Sequence, residues 1–296
     1  MNDFEKKMKI LVTGGSGFLG SHVGDALSDA GHEVTLFDLN PSPWLRDNQT
    51  MMCADILDQE SINKAVKSSD VIYHLAALAD INEAIFKPRE TVEINLLGTL
   101  NLLEAARDFG VERFVFASSI YVYSDEGSFY RTSKQACELL LQDYFEEYGL
   151  DYTILRFGSL YGPRSNQSNN IYNLLNQAIN DNKIEYYGTG EEIREYIHVL
   201  DAAAMSADIL TEEFKEQIVH LTGTERMSSR ELLSMIQEIM GNKIDISFQM
   251  KKDKGHYVQT PYSYKPKLGR RLRRNTYIDL GLGLLDCLHD INQKPN

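Results

Sequence analysis

Tyr130 and Lys134 stand four residues apart, with Ser118 and Ser119 shortly upstream. On a helix that spacing puts a phenol and an ammonium on one face. A free phenol, with a pKa of about 10, is a poor base at neutral pH. A neighbouring positive charge favours the phenolate, and a lowered phenol pKa suits a proton shuttle. The same spacing also describes an ordinary surface pair. A second signal narrows the choice. Thr13-Gly14-Gly15-Ser16-Gly17-Phe18-Leu19-Gly20 follows the apolar run Ile10-Leu11-Val12 directly. Glycines there let the backbone turn tightly, approach a pyrophosphate and pack the next helix on the strand. The helix N-terminus then offers free N–H groups to phosphate. A second strand ends in Asp38, ~20 residues beyond the glycines, where a carboxylate binds the adenosine ribose. That acid favours NAD over NADP, because it repels a 2′-phosphate. The two signals together predict a bound nicotinamide with acid–base chemistry beside it.

The elements that must position these residues alternate along the chain. The pattern predicts strands at 8–13, 33–37, 50–53, 70–74, 113–118 and 152–156, and helices at 18–30, 60–67, 90–108, 130–148 and 169–181. This is the signature of a parallel sheet with helices on both faces, with ligand at the C-terminal ends of the strands. After Gly158 the elements shorten: strands at 183–187, 193–197, 218–222 and 244–249, helices at 199–210 and 228–240. The expected fold is α/β, a Rossmann-type doubly wound parallel sheet over residues 1–158. A smaller α/β substrate lobe, interleaved with the first, is expected over 159–296. The Asn-rich stretch 166–170 reads as a loop running into a helix cap. His74 reads as a core histidine rather than a ligand.

The chain resembles the extended short-chain dehydrogenase/reductase superfamily, in its sugar-nucleotide epimerase/dehydratase group. The resemblance is carried by Thr13–Gly20, Asp38, Ala54-Asp55-Ile56, His74-Leu75-Ala76-Ala77, Asn95 with Gly98-Thr99, Ser118-Ser119, Val122-Tyr123, Tyr130 with Lys134, Arg156 with Tyr161-Gly162-Pro163, and Arg194-Glu195-Tyr196-Ile197-His198-Val199. It implies that Gly14, Gly17, Phe18, Leu19, Gly20, Asp38, Asp55, Ile56, Leu75, Ala76, Ala77, Tyr130, Lys134 and Phe157 bind NAD. It implies catalysis by Ser119, Tyr130 and Lys134, with Ser119 holding the substrate oxygen; strand alternation turns Ser118 away. Ser159 and Arg194 are the implied contacts to a nucleoside-diphosphate sugar. The family's dehydratases carry an Asp-Glu pair after the catalytic hydroxyl, and its decarboxylases tend to carry a Glu there. Here those positions hold Ile120 and Tyr121, which leaves epimerase, dehydrogenase or ketoreductase chemistry. The expected reaction is epimerisation of the sugar by transient oxidation at C4. A one-way dehydrogenase or 4-keto reductase is the alternative, and a dinucleotide-binding protein without turnover a third reading. Two departures stand out. Tyr130 follows Tyr123 by only seven residues, where the family has a longer segment passing over the sugar. Ser159 replaces the family's usual Asn.

Composition fits a water-exposed enzyme. The chain has 296 residues, 43% hydrophobic and 25% charged, enough for a large core. A net charge of −13 argues against nucleic-acid or anionic-membrane binding. No apolar run approaches the ~20 residues of a membrane span, and the polar start lacks a signal-peptide core. Cys53, Cys137 and Cys287 lie far apart without metal spacing, so no metal is expected, and core thiols fit a reducing cytoplasm. The basic cluster Arg270, Arg271, Arg273 and Arg274 could clamp a diphosphate, present a solvated helix face or meet a partner chain. Apolar stripes, Leu96-Leu100-Leu103 on helix 90–108 and Leu140-Tyr144 on helix 130–148, suggest a homodimer through paired helices; the alternative is that both face the sheet.

Overall fold

Ile10-Leu11-Val12 is buried on both sides, as expected of the middle strand of a parallel sheet. A computed structural model describes residues 7–223 and 225–249. The chain runs through β1 (Lys9–Thr13), α1 (Phe18–Asp29), β2 (Glu33–Asp38), β3 (Gln49–Cys53), α2 (Gln59–Val66), β4 (Val71–His74), α3 (Ile81–Phe86) and α4 (Pro88–Val92). A π-helical turn (Glu93–Leu97) leads into α5 (Gly98–Phe109), followed by β5 (Arg113–Ser119), a 3₁₀ turn (Ile120–Tyr123), α6 (Ser128–Tyr148), β6 (Tyr152–Phe157) and β7 (Ser159–Tyr161). Then come α7 (Asn170–Asp181), β8 (Lys183–Tyr187), β9 (Ile193–His198), α8 (Val199–Asp208), β10 (Gln217–Leu221), β11 (Glu225–Ser228), α9 (Ser229–Ile239) and β12 (Asp245–Gln249).

Seven strands form one parallel sheet in the order β10-β6-β5-β4-β1-β2-β3. The order reverses between β1 and β4, so their C-terminal ends frame the crevice where such sheets take ligands. Two apolar clusters cover the two faces: one built on Leu11, Phe37, Ile72 and Phe114 with α2, α5 and α6, the other on Val12, Leu36, Tyr73 and Val115 with α1 and α8. A third cluster joins α7, α9, β8 and β12. β7, β9 and β11 make a separate three-stranded sheet.

Four differences from the sequence expectation have local causes. The helix expected over 90–108 is broken: Pro88 starts α4, and the π-helical turn inserts before Gly98. The short α3 is added, capped by Asp80 on the Glu83 N–H at 2.9 Å. The strand expected near 218–222 joins the main sheet beside β6, with Leu221 opposite Phe157. Leu103 and Tyr144 lie inside the core, and Leu96, Leu100 and Leu140 pack against it, so those stripes face inward. Exposed apolar side chains on these segments include Leu97 and Leu139 instead, with Val92 and Tyr148. Cys287 and Arg270, Arg271, Arg273 and Arg274 lie outside the described residues.

Candidate active site

The glycine turn is built by close approach. Gly14 has φ +71°, and a Cβ there would stand 2.7 Å from the Ala76 nitrogen. A Cβ on Gly20 would overlap the Gly14 oxygen. Both contacts are impossible for any other residue, so β1, α1 and the Leu75-Ala76-Ala77 segment lock together. Gly17 caps α1 without a side-chain hydrogen bond, which leaves the first-turn N–H groups available to an anion. Gly17, Phe18, Leu19 and Gly20 line a cleft of about 780 Å³. So do Gly14, Asp38, Asp55, Ile56, Leu75, Ala76, Ala77 and Phe157. Asp38 ends β2, where it accepts from the Ser16 N–H at 3.1 Å and the Asn40 N–H at 3.2 Å. The uncapped helix end, the carboxylate opposite it and the small-residue walls fit a dinucleotide.

His74 ties the turn together from below. Thr99 donates to the Asn95 carbonyl at 2.5 Å, so it accepts from His74 Nε2 at 2.9 Å. Nδ1 therefore carries no proton and accepts from Thr13 at 2.7 Å. The Thr13 oxygen in turn accepts the Ala76 N–H at 3.3 Å. Burial pushes the imidazole down to about 3, so this histidine stays neutral, as a core residue should.

Ser119, Tyr130 and Lys134 converge on the same cleft. The Ser119 hydroxyl hydrogen-bonds the Tyr130 phenol. Lys134 Nζ donates to the Ala117 carbonyl at 2.7 Å and lies 5.9 Å from the Tyr130 ring centre. Its ammonium was expected to lower the phenol pKa. In the structure burial dominates and pushes Tyr130 up to about 12, against the pull of the Ser119 hydrogen bond. Burial also pushes Lys134 down to about 8. The protein alone therefore holds a neutral phenol at pH 7. Ser118 turns the other way, donating to Glu138 at 2.5 Å.

Ser159 and Arg194 are not in the lining of this cleft. Ser159 lies in β7 opposite Tyr196, and Arg194 lies in β9 opposite Met227, with Nη1 donating to the Ile193 carbonyl at 3.0 Å. Beyond residue 158, Leu160, Asn166, Ser168 and Asn169 line the cleft instead. Asn169 caps α7 through the Tyr172 N–H at 3.1 Å. Asn169 thus serves the cleft as well as the helix cap, and Asn166 lines the cleft too, a role their local spacing does not signal. Asn95 has a structural role that its position in the sequence does not signal either. Its amide accepts from the Leu78 N–H at 2.7 Å and donates to Ser133 Oγ at 3.0 Å, between Tyr130 and Lys134.

The chain is similar to known proteins over most of its length. The sequence profile of the NAD dependent epimerase/dehydratase family matches residues 10–221. A putative UDP-glucose 4-epimerase of Methanocaldococcus jannaschii is 30% identical, covering 78% of this chain and 82% of that protein. A UDP-N-acetyl-alpha-D-glucosaminuronate decarboxylase of Bacillus cytotoxicus is 29% identical, covering 79% and 80%. The crystal structure of the Thermus thermophilus UDP-glucose 4-epimerase in complex with NAD superposes with a TM-score of 0.78 at 29% identity, covering 89% and 95%.

Proposed function

The chain belongs to the NAD dependent epimerase/dehydratase family, and we propose that it epimerises a nucleoside-diphosphate sugar at C4. One observation carries this reading: Ser119, Tyr130 and Lys134 open into the cleft lined by the glycine turn and Asp38. NAD⁺ held in this cleft would supply a hydride acceptor that can also act as donor, and the positive charge of its ring would favour the phenolate. The chain's own residues then divide the work. Tyr130 accepts the proton of the sugar hydroxyl and gives it back. Lys134, an ammonium at neutral pH, holds the nicotinamide ribose. Ser119 donates to the reacting oxygen as charge develops. Gly17 to Gly20 cradle the pyrophosphate, Asp38 takes the adenosine ribose, and Asp55 and Ile56 flank the adenine. Ser159 and Arg194 belong to the sugar-nucleotide's diphosphate in this reading.

Elimination of water needs an acid and a base beside the sugar. Ile120 and Tyr121 supply neither: Ile has no proton to give, and Tyr has a free pKa of about 10. Ile120 is moreover buried. Dehydration is thereby disfavoured, and the lack of a Glu at these two positions argues against the Bacillus relative's decarboxylation as well. A homodimer through the outer faces of the π-helical turn leading into α5 and of α6, where Leu97 and Leu139 are exposed, and a cytoplasmic location complete the proposal.

UDP-glucose is the first substrate to test, because two of the relatives carry it in their names. Proton NMR of the incubated sugar nucleotide should show the C4 epimer accumulating to equilibrium without net NADH. Steady NADH formation supports the one-way dehydrogenase, and a 4-keto-6-deoxy product contradicts the reading.

A further inference from the structure

Glu138 sits two turns beyond Tyr130 and one beyond Lys134 on α6, yet it is not in the cleft lining. It is buried, as are Ser118 and Arg156. One of its oxygens accepts from Ser118 Oγ at 2.5 Å and from Arg156 Nε at 2.9 Å; the other accepts from Arg156 Nη2. Ser118 and Arg156 lie directly opposite each other on β5 and β6. A single carboxylate thus pins the catalytic helix to two adjacent strand ends, next to Ser119. Arg156 continues outward: Nη1 donates to the Tyr123 phenol, and its guanidinium lies 4.5 Å from the centre of that ring. Tyr123 in turn hydrogen-bonds His220 of β10 at 2.9 Å. The line therefore spans α6, β5, β6, the 3₁₀ turn and β10.

We propose that the Glu138–Arg156 pair is a positioning device, which sets the distance between Ser119 and Tyr130 by bracing α6 against the ends of β5 and β6. The proposal rests on the catalytic roles given above. A buried ion pair is weak evidence for stability as such, since well-packed apolar residues often replace one at no cost. What such residues lack is direction: they cannot hold the Ser118 hydroxyl or fix the register of a helix against two strands. Charge matters as well. Lys134 is faced by Tyr130, Cys137 and Glu138 on its own helix, by neutral His74 on β4, and by the Ala117 carbonyl and the Phe116 ring on β5. Glu138 is the carboxylate among them; burial lowers Lys134, and Cys137 first and Glu138 second oppose it.

Removing one partner alone strands a buried charge and threatens folding. The test therefore uses Glu138→Leu/Arg156→Met, which keeps the volume apolar and packed, with its unfolding midpoint and NAD⁺ affinity measured as controls. The expected result is a folded protein that binds NAD⁺. Its kcat should be down by about tenfold or more and its KM for UDP-glucose little changed, the mark of a lost transition-state geometry. Its crystal structure should show Ser119 Oγ and the Tyr130 phenol oxygen beyond hydrogen-bond reach, about 3.5 Å. A variant that keeps this hydrogen bond overturns the proposal, whatever its kcat. If the unaltered protein turns over no sugar nucleotide, the sugar reading fails, and the Ser119–Tyr130 distance alone decides the brace.

Discussion

Burial pushes the Tyr130 phenol up to about 12 even with Lys134 close by, so the proton-shuttle role proposed for it calls for the further positive charge that a nicotinamide ring would bring. Tyr130→Phe removes one oxygen and leaves the fold and the cofactor walls alone. Its kcat should fall by about 10²–10⁴, the usual worth of a positioned acid–base group, while calorimetry shows unchanged NAD⁺ affinity. Near-normal turnover would assign the proton transfer elsewhere. Asp38 makes a second residue-scale claim. Its carboxylate, facing the cleft, should make NADP⁺ bind at least about tenfold more weakly than NAD⁺, a difference of ~1.4 kcal/mol. Asp38→Asn should narrow that gap in a binding titration, and equal affinities in the unaltered protein would refute the assignment.

Between β1, β4 and α5, His74 links elements that no single segment could hold. It is held at about 3 in the fold against an unfolded value of about 6.5. The unfolded chain therefore binds its proton first as pH falls. The stability this neutral imidazole contributes is complete above pH ~6.5 and is lost progressively as pH falls towards 3, by about 1.4 kcal/mol per unit. Urea unfolding at pH 7 and pH 5 should show His74→Asn losing less stability than the unaltered protein over that interval. An equal loss would show that His74 is not the titrating group. This level of organisation is also where the sequence was least legible. The glycine turn and the Tyr130–Lys134 pair could be read because their chemistry depends on local spacing. Glu138 could not, because its meaning lies in Arg156 and Ser118, which only folding brings to it. The interruption before Gly98 was hidden for a related reason: a π-helical turn barely disturbs apolar periodicity, so 90–108 read as one helix. β10 looked like part of a separate lobe because nothing in Gln217–Leu221 states that its partner is β6.

For the whole molecule, the inward packing of Leu96, Leu100 and Leu140 transfers the proposed self-association to Leu97 and Leu139, exposed by 45% and 61%. An isologous contact repeats each such side chain on both partners, so one charge introduced per chain acts twice. Sedimentation should give a dimer at micromolar concentration, and Leu97→Glu/Leu139→Glu should give a monomer that stays folded. A strictly monomeric unaltered protein would defeat the dimer while leaving the active site as described. The molecule's central claim, that one carbon is oxidised and then reduced in place, has a more direct test. UDP-glucose carrying deuterium at C4 is incubated with the protein and NAD⁺ in ordinary water, and the product is read by mass spectrometry and NMR. The expected product is UDP-galactose with the deuterium still at C4, because it leaves and returns as hydride without meeting solvent. A C4 epimer carrying solvent hydrogen at that carbon would contradict it.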